Sequence, residues 1–560
     1  MQREVDMPRS DPLRPDHTSP LTRRAVVAGC LAAGALPLLG SGPAWATAPE
    51  LATAWEPTVP GAPDVIDPAY EISPPAPPEP LQKLSAIPSR DVPRLAPHAP
   101  STPGAGKVGG PARTYAGTTS VPFQFRYDDF EIRELPVGIE PYHMSTPVPL
   151  VDTGVHDSTG VRMVLLGSTL YNHPVAQAQY GLQLLESHRI TGNQVYLDRA
   201  KLQAQRLVDR RTLRSGAWFY PYPFNYRLHR LYDFYAAPWY SMMAQGQALS
   251  LFTRLHQRTG EANWKAAADA TFASFLLPPV AGLPWGVWVV NGLLWLEEYP
   301  HPKLIKGDRT YNGHMFSAYG LYDYWVLTKD ANAKLLLQGA ITTYRDVRDL
   351  IRVRHWRSRY CVAHGTDAGS YHTTHINQFM QQYAITGDTF MAQMGDLWYT
   401  DYPPAGVKGS IHFSAGSHTG YKFSSTGAIT ASYTLRLTRS SSAPSADRLK
   451  VMGQTGIWYA ISAGTLNGYL VREATPARYQ IGICAGLGYK LHRPGTIAVA
   501  TPTAYSIDSA GVMGGVRTTY QVGDPVALDM RAVLNGVEHV RLVEGPYAGR
   551  WLGLGTVIRG

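Results

Sequence analysis

A four-residue string recurs four times through the middle of this chain and limits what it can fold into. Ile190-Thr191-Gly192-Asn193, Arg258-Thr259-Gly260-Glu261, Leu327-Thr328-Lys329-Asp330 and Ile385-Thr386-Gly387-Asp388 are spaced by 68, 69 and 58 residues. Three of the four carry Gly, which supplies a left-handed helix C-cap, and the polar residue after it caps a new helix. The flanks keep a helical period, with Leu197, Ala200, Ala204 and Leu207 in one unit and Trp264, Ala268, Phe272 and Phe275 in the next. The spacing predicts helical hairpins over 171–405 that stack to bury a shared face. The fold class expected is a mostly α catalytic domain, an α/α toroid or incomplete α/α barrel, with a short β cap and C-terminal all-β modules.

The flanking segments differ in composition. Thr22-Arg23-Arg24 precedes an apolar stretch from Ala25 to about Leu39, and Ala44-Trp45-Ala46 fits a small-x-small cleavage site. Residues 1–46 therefore read as a Tat-type signal peptide, and the expected location is secreted or cell-envelope associated. Residues 47–112 read as a Pro-rich linker, because 16 prolines between 49 and 112 cannot build a core. Residues 113–170 read as a short β region, with Phe123, Phe125 and Tyr127 alternating and an apolar run from Val161 to Leu166. Residues 411–560 turn to period-two runs such as Thr430 to Thr438 and read as two small β-modules, with SH3-like barrels the candidate fold. Thr419-Gly420-Tyr421-Lys422 answers Leu487-Gly488-Tyr489-Lys490, and Gly464 to Leu470 answers Gly545 to Leu552. Binding of a cell-wall polymer and a purely stabilising appendage are both open for these modules.

Charge narrows the partners. The formal net charge is +9, and 39 of the 51 basic residues are Arg. Guanidinium forks match carboxylates and sulfates, which suits an acidic polymer; a codon bias toward Arg is the competing reading. Runs of Lys or Arg and nucleic-acid-binding signatures are absent, so no nucleic-acid partner is expected. The 33 Tyr against 14 Phe fit a site that handles polar polymers. Past the export signal only Cys361 and Cys484 remain, too few for a disulfide framework.

Four clusters in the helical region carry chemistry: Ala178-Gln179-Tyr180-Gly181-Leu182; Pro238-Trp239-Tyr240-Ser241-Met242-Met243-Ala244-Gln245-Gly246-Gln247; Leu296-Glu297-Glu298-Tyr299-Pro300 with Asn312-Gly313-His314; and Tyr360 with Tyr371-His372-Thr373-Thr374-His375-Ile376-Asn377-Gln378. The i,i+3 pair His372 and His375 lacks the Glu of a zinc-protease motif, and no local spacing demands a metal. Glu297 and Glu298, if helical, diverge by about 100° and cannot share one glycosidic bond.

In these strings, over 171–402, the chain resembles the C-terminal catalytic region of the D-glucuronyl C5-epimerases of heparan sulfate and heparosan. The resemblance implies an α/α-barrel isomerase without an organic cofactor, acting on a uronate-containing polysaccharide, and a homodimer. Residue by residue it implies catalytic roles for Glu298, Tyr299, Tyr371 and Tyr360. Tyr360 departs from the family's Tyr-x-x-Arg-His string, since Ala363 stands for the Arg. Asn312, Arg359, His364 and His372 are candidates to hold the carboxylate or hydroxyls, and Trp239 and Tyr240 to stack on sugar rings. Epimerising C5 removes a hydrogen α to a carboxylate and returns one on the opposite face, which calls for two acid/base groups and stabilisation of the added charge. A uronate polysaccharide lyase shares the first step; a binder without chemistry and a glycoside hydrolase on a similar scaffold are the other readings.

Overall fold

The computed structural model describes residues 121–229, 233–402, 409–473 and 478–560, and two short strands at Val65–Ile66 and Lys107–Val108. The export signal at 1–46 lies outside the described residues, as does the Pro-rich linker apart from those two strands. No helix of the described residues is long and apolar enough to cross a membrane.

The recurring strings close four helical hairpins: α1 (Pro174–Thr191) with α2 (Gln194–Asp209), α3 (Met242–Thr259) with α4 (Ala262–Phe272), α5 (Tyr311–Thr328) with α6 (Ala331–Asp346), and α7 (Tyr371–Thr386) with α8 (Thr389–Asp401). All four turns use one device. Gly192, Gly260, Lys329 and Gly387 stand in the left-handed region at φ of 68°, 72°, 56° and 69°. The Thr before each donates its hydroxyl one turn back, and that oxygen accepts the N–H of the residue opening the next helix, at 3.1–3.2 Å. Lys329 adopts the conformation at a cost of roughly 1 kcal/mol that Gly avoids.

The odd-numbered helices form an inner layer. In α5 each residue from Tyr311 to Tyr324 is buried, whereas α2 buries a stripe of Tyr196, Leu197, Ala200, Gln203, Ala204 and Leu207. Two glycines bring α3 and α5 together: a Cβ on Gly246 would lie 2.4 Å from the Ser317 carbonyl oxygen, and one on Gly320 would lie 2.3 Å from that of Gly246. Only Gly allows backbones this close.

The 113–170 region is less regular than its sequence suggests. It holds a two-residue strand, Arg126–Tyr127, and the hairpin Met163–Leu166 with Thr169–Asn172. Between them the chain crosses the hairpin ends as a strap, held by Arg133 N–H on the Ile385 carbonyl and Leu135 N–H on the Tyr322 hydroxyl.

From residue 409 the chain forms two seven-stranded antiparallel sheets. The first contains β1 (Gly409–Phe413), β2 (Gly416–Phe423), β3 (Ile429–Leu437), β4 (Ser441–Leu449), β5 (Trp458–Ile461), β6 (Leu470–Arg472) and β7 (Arg478–Ile481). The second contains β8 (Ile483–Ile497), β9 (Thr503–Ile507), β10 (Met513–Arg517), β11 (Pro525–Leu534), β12 (Val537–Leu542), β13 (Trp551–Gly553) and β14 (Val557–Arg559). The strand orders, 3-2-6-5-4-1-7 and 10-9-13-12-11-8-14, are the same. The Gly464–Leu470 and Gly545–Leu552 repeat is one turn built twice, with Gly468 N–H on the Ile461 carbonyl and Gly549 N–H on that of Leu542. The other repeat is not equivalent: Thr419–Lys422 lies on β2, but Leu487–Lys490 lies on β8, the counterpart of β1. The first sheet has its own apolar core, whereas Cys484, Leu487, Tyr489 and Ile497 of the second join the helical core.

Candidate active site

The site begins with a hairpin, Val287–Val290 with Leu293–Leu296, that runs into Glu297-Glu298-Tyr299. The two glutamates follow a strand rather than lie on a helix, so they part by strand alternation. The Glu297 carboxylate turns to Gly307 and accepts the Arg309 N–H at 2.9 Å. Burial pushes its pKa up to about 8, so it is protonated at neutral pH. Glu298 turns the other way, into space left by Gly313 at the start of α5; a Cβ there would lie 2.0 Å from Glu298 Oε2.

Tyr360 reaches the same place from the connection between α6 and α7. Its N–H donates to the Thr366 carbonyl at 2.7 Å, and its carbonyl accepts the Tyr311 N–H at 2.9 Å. Its hydroxyl lies 3.5 Å from Glu298 Oε2 and 3.5 Å from the Tyr299 hydroxyl. Tyr371, the first residue of α7, sets its ring 5.3 Å from that of Tyr360 at 59°. Glu298, Tyr299, Tyr360 and Tyr371, separated by up to 73 positions in sequence, thus converge. All four are buried, so charge appearing among them meets a low dielectric. Tyr299 is backed by Tyr226, stacked at 5.6 Å, and by Tyr235, whose hydroxyl donates to the Tyr299 carbonyl at 2.9 Å. These two supports escaped the sequence reading, because a tyrosine outside a motif has no local mark.

The six residues expected to bind substrate are distributed differently. Asn312 follows Tyr311 in the first turn of α5; its Oδ1 is buried without a hydrogen-bond partner among the described residues. Trp239 is interior: its ring stacks on Tyr222 at 3.9 Å and on Tyr226 at 5.3 Å, and its Nε1–H donates to the Phe224 carbonyl. Both its faces are taken, so it supports the tyrosine wall and offers no ring to a sugar. Tyr240 packs on Phe219 and bonds the Thr212 hydroxyl. His372 has both nitrogens occupied by backbone, Nδ1 accepting the Ser358 N–H and Nε2–H donating to the Trp398 carbonyl, each at 3.0 Å. Burial lowers its pKa to about 4, so it stays neutral and serves the fold. His375 shares Ser358 with it, through the Ser358 hydroxyl at 2.8 Å. Arg359 alternates away from Tyr360, and its Nη1–H donates to the Leu350 carbonyl.

His364 lies behind Tyr360, where its Nδ1 is 2.5 Å from Asp308 Oδ1. His229 meets the same carboxylate at 3.2 Å, and Cys361 Sγ lies 3.6 Å from His229 Nε2 and 3.8 Å from His364 Nδ1. His229 and Asp308 were not legible as functional residues, since 79 positions separate them and neither stands in a recognisable spacing. Cys361 and Cys484 are both buried free thiols and do not pair.

The three tyrosines and one carboxylate are thus supplied by a hairpin, a connection and one helix start. Residues 214–400 match the model described as D-glucuronyl C5-epimerase C-terminus. The resemblance read from the motifs holds over that segment, which contains all four convergent residues. Solved structures similar to parts of this chain include a cellobiose 2-epimerase from Spirochaeta thermophila, at 14% identity over 43% of this chain and 63% of that one, TM-score 0.33. A GH76 α-mannanase from Bacteroides thetaiotaomicron is similar at 10% identity over 44% and 61%, TM-score 0.31. The Lin0763 protein of Listeria innocua is similar at 14% identity over 41% and 59%, TM-score 0.30. The chain thus spans about three fifths of each, and likeness this partial decides nothing about chemistry.

Proposed function

We propose that this chain is an exported isomerase that inverts C5 of D-glucuronate residues in a polysaccharide, and that its helical hairpins form an incomplete α/α barrel around the reacting sugar. The observation that carries this reading is the meeting of Glu298, Tyr299, Tyr360 and Tyr371 inside the segment that matches the epimerase family. The C5 hydrogen is α to a carboxylate that is already charged, so its removal needs hydrogen-bond donors that strengthen as charge develops. Glu298 and Tyr371 act as the acid/base pair on opposite ring faces. One takes the C5 proton, and the other gives its own proton to the far face of the same carbon. The Tyr360 and Tyr299 hydroxyls, in line from Glu298, donate to the developing charge; afterwards the base gives up the C5 proton to solvent and the acid takes one back, so both groups return to their starting states. Asn312 is the candidate for the substrate hydroxyls. The second sheet braces α7 and α8, and the first is the candidate for a cell-wall polymer.

The test is NMR of heparosan and other glucuronate polymers incubated with residues 47–560 in D₂O. Deuterium at C5 with new iduronate signals supports the reading. An unsaturated uronate would reassign the protein as a lyase, and bound polymer without exchange would make it a binder.

A further inference from the structure

The four groups behind Tyr360 form a site that the proposed reaction does not use. We infer that His229, Asp308, Cys361 and His364 bind one zinc-class divalent cation. Their ligand atoms, one from each residue, lie within 4.8 Å of one another. A tetrahedral ion with bonds of about 2.0–2.3 Å needs donor–donor edges of roughly 3.3–3.7 Å. Three edges fall near that window: His229 Nε2 to the Asp308 carboxylate at 3.2 Å (Oδ2) or 3.3 Å (Oδ1), Cys361 Sγ to His229 Nε2 at 3.6 Å, and Cys361 Sγ to His364 Nδ1 at 3.8 Å. The edge from His364 Nδ1 to Asp308 Oδ1, at 2.5 Å, is a hydrogen bond and opens when both atoms take the ion.

The donor set also fits by charge and softness. One thiolate and one carboxylate neutralise a divalent ion, and two imidazoles complete an N₂OS set that suits zinc better than calcium or magnesium. Binding converts the Cys361 thiol to thiolate and releases its proton to solvent, with no change of oxidation state. The scaffold is set before the ion arrives. Ala363 N–H donates to the Asp308 carbonyl and Val362 N–H to that of Arg309, each at 3.2 Å. The Thr310 hydroxyl donates to Asp308 Oδ2 at 3.0 Å, orienting the carboxylate from outside the set. His229 holds a left-handed backbone, φ 50°, a strained conformation for a residue with a side chain. Asp308 and Cys361 are wholly buried and His229 nearly so, and an uncompensated carboxylate there would be costly.

The ion would position the catalytic loop. Cys361 follows Tyr360, and the His229 ring lies 5.9 Å from the Tyr360 ring, edge to face. Metal would tie three segments, at 229, 308 and 361–364, directly behind that tyrosine.

The experiment is metal analysis of the purified mature chain, followed by replacement with Co²⁺. The expected result is about one zinc per chain, retained through dialysis. The cobalt form should show tetrahedral ligand-field bands in the visible and a thiolate-to-cobalt band in the near ultraviolet. The thiolate band should vanish in Cys361→Ser and persist in Cys484→Ser, and His364→Ala should lose stoichiometric metal. Absence of both stoichiometric zinc and the thiolate band in the wild-type chain overturns the inference whether or not the variants fold, as does a thiolate band that survives Cys361→Ser. None of these readouts depends on epimerase activity.

Discussion

Replacing Asp396 by Asn is expected to loosen the second β-sheet from the helices. Asp396 lies on α8 and is 4% exposed. Its Oδ2 accepts from Arg559 Nε at 2.7 Å and from the Arg493 guanidinium. Its Oδ1 accepts the Tyr489 hydroxyl at 2.9 Å and lies 3.6 Å from Arg531 Nη1. The three arginines come from β8, β11 and β14, so one carboxylate gathers the sheet onto the helix. Glu538, on Arg531 at 2.7 Å, is the other anion of the cluster. Asp396→Asn removes an anion that faces three guanidinium groups, with little change of shape. Breaking a buried pair in this way costs about 3–5 kcal/mol. The lower end applies, because Arg493 and Arg531 keep bonds to the Gly560 carbonyl and to Glu538. Denaturant unfolding with hydrogen exchange across β8 and α8 measures the effect. The three guanidinium groups hold the Asp396 carboxyl well below the ordinary carboxylate range. Its contribution is therefore fully present above the unfolded pKa, about 3.9, and is lost as pH falls below it. Wild-type docking should weaken in acid, and Asp396→Asn should abolish that component. A destabilisation under about 1 kcal/mol, with unchanged exchange at the interface, would refute an electrostatic lock.

Three further outcomes follow from the site. Tyr360→Phe removes the hydroxyl between Glu298 and Tyr299 and should cut deuterium exchange at C5 by about 10²–10⁴, with polymer binding retained; isothermal titration beside NMR separates the two. Gly313→Ala drives a methyl into the Glu298 carboxylate, 2.0 Å from Oε2, and should lower turnover more than thermal stability. Burial raises the Glu297 pKa to about 8, so the folded chain keeps a proton that the unfolded chain releases near pH 4.5. Stability should fall as pH rises through that interval, and Glu297→Gln, which carries no such proton, should flatten the slope in pH-dependent thermal melts.

The helical hairpins were legible because their determinants are local. A left-handed residue and a capping side chain act within a few positions, so the strings at Gly192, Gly260, Lys329 and Gly387 marked all four turns at single-residue resolution. The strand character after 409 was legible for the same reason, since alternation is a short-range pattern. Strand pairing was not, because register is decided by which segments share a face; that is why Thr419–Lys422 and Leu487–Lys490 looked equivalent and are not.

The site divides along the same line. Glu298, Tyr299, Tyr360 and Tyr371 could be picked from motifs, because each stands in a distinctive short string. What each motif side chain touches was decided only by packing. His372 has its nitrogens consumed by the Ser358 and Trp398 backbone, and Trp239 has its faces covered by Tyr222 and Tyr226. The cluster of His229, Asp308, Cys361 and His364 has no sequence signature, since its members arrive from three segments up to 135 positions apart. Capping and periodicity are properties of neighbours in the chain and can be read there; coordination, burial and charge balance depend on neighbours in space, which exist only once the hairpins have stacked.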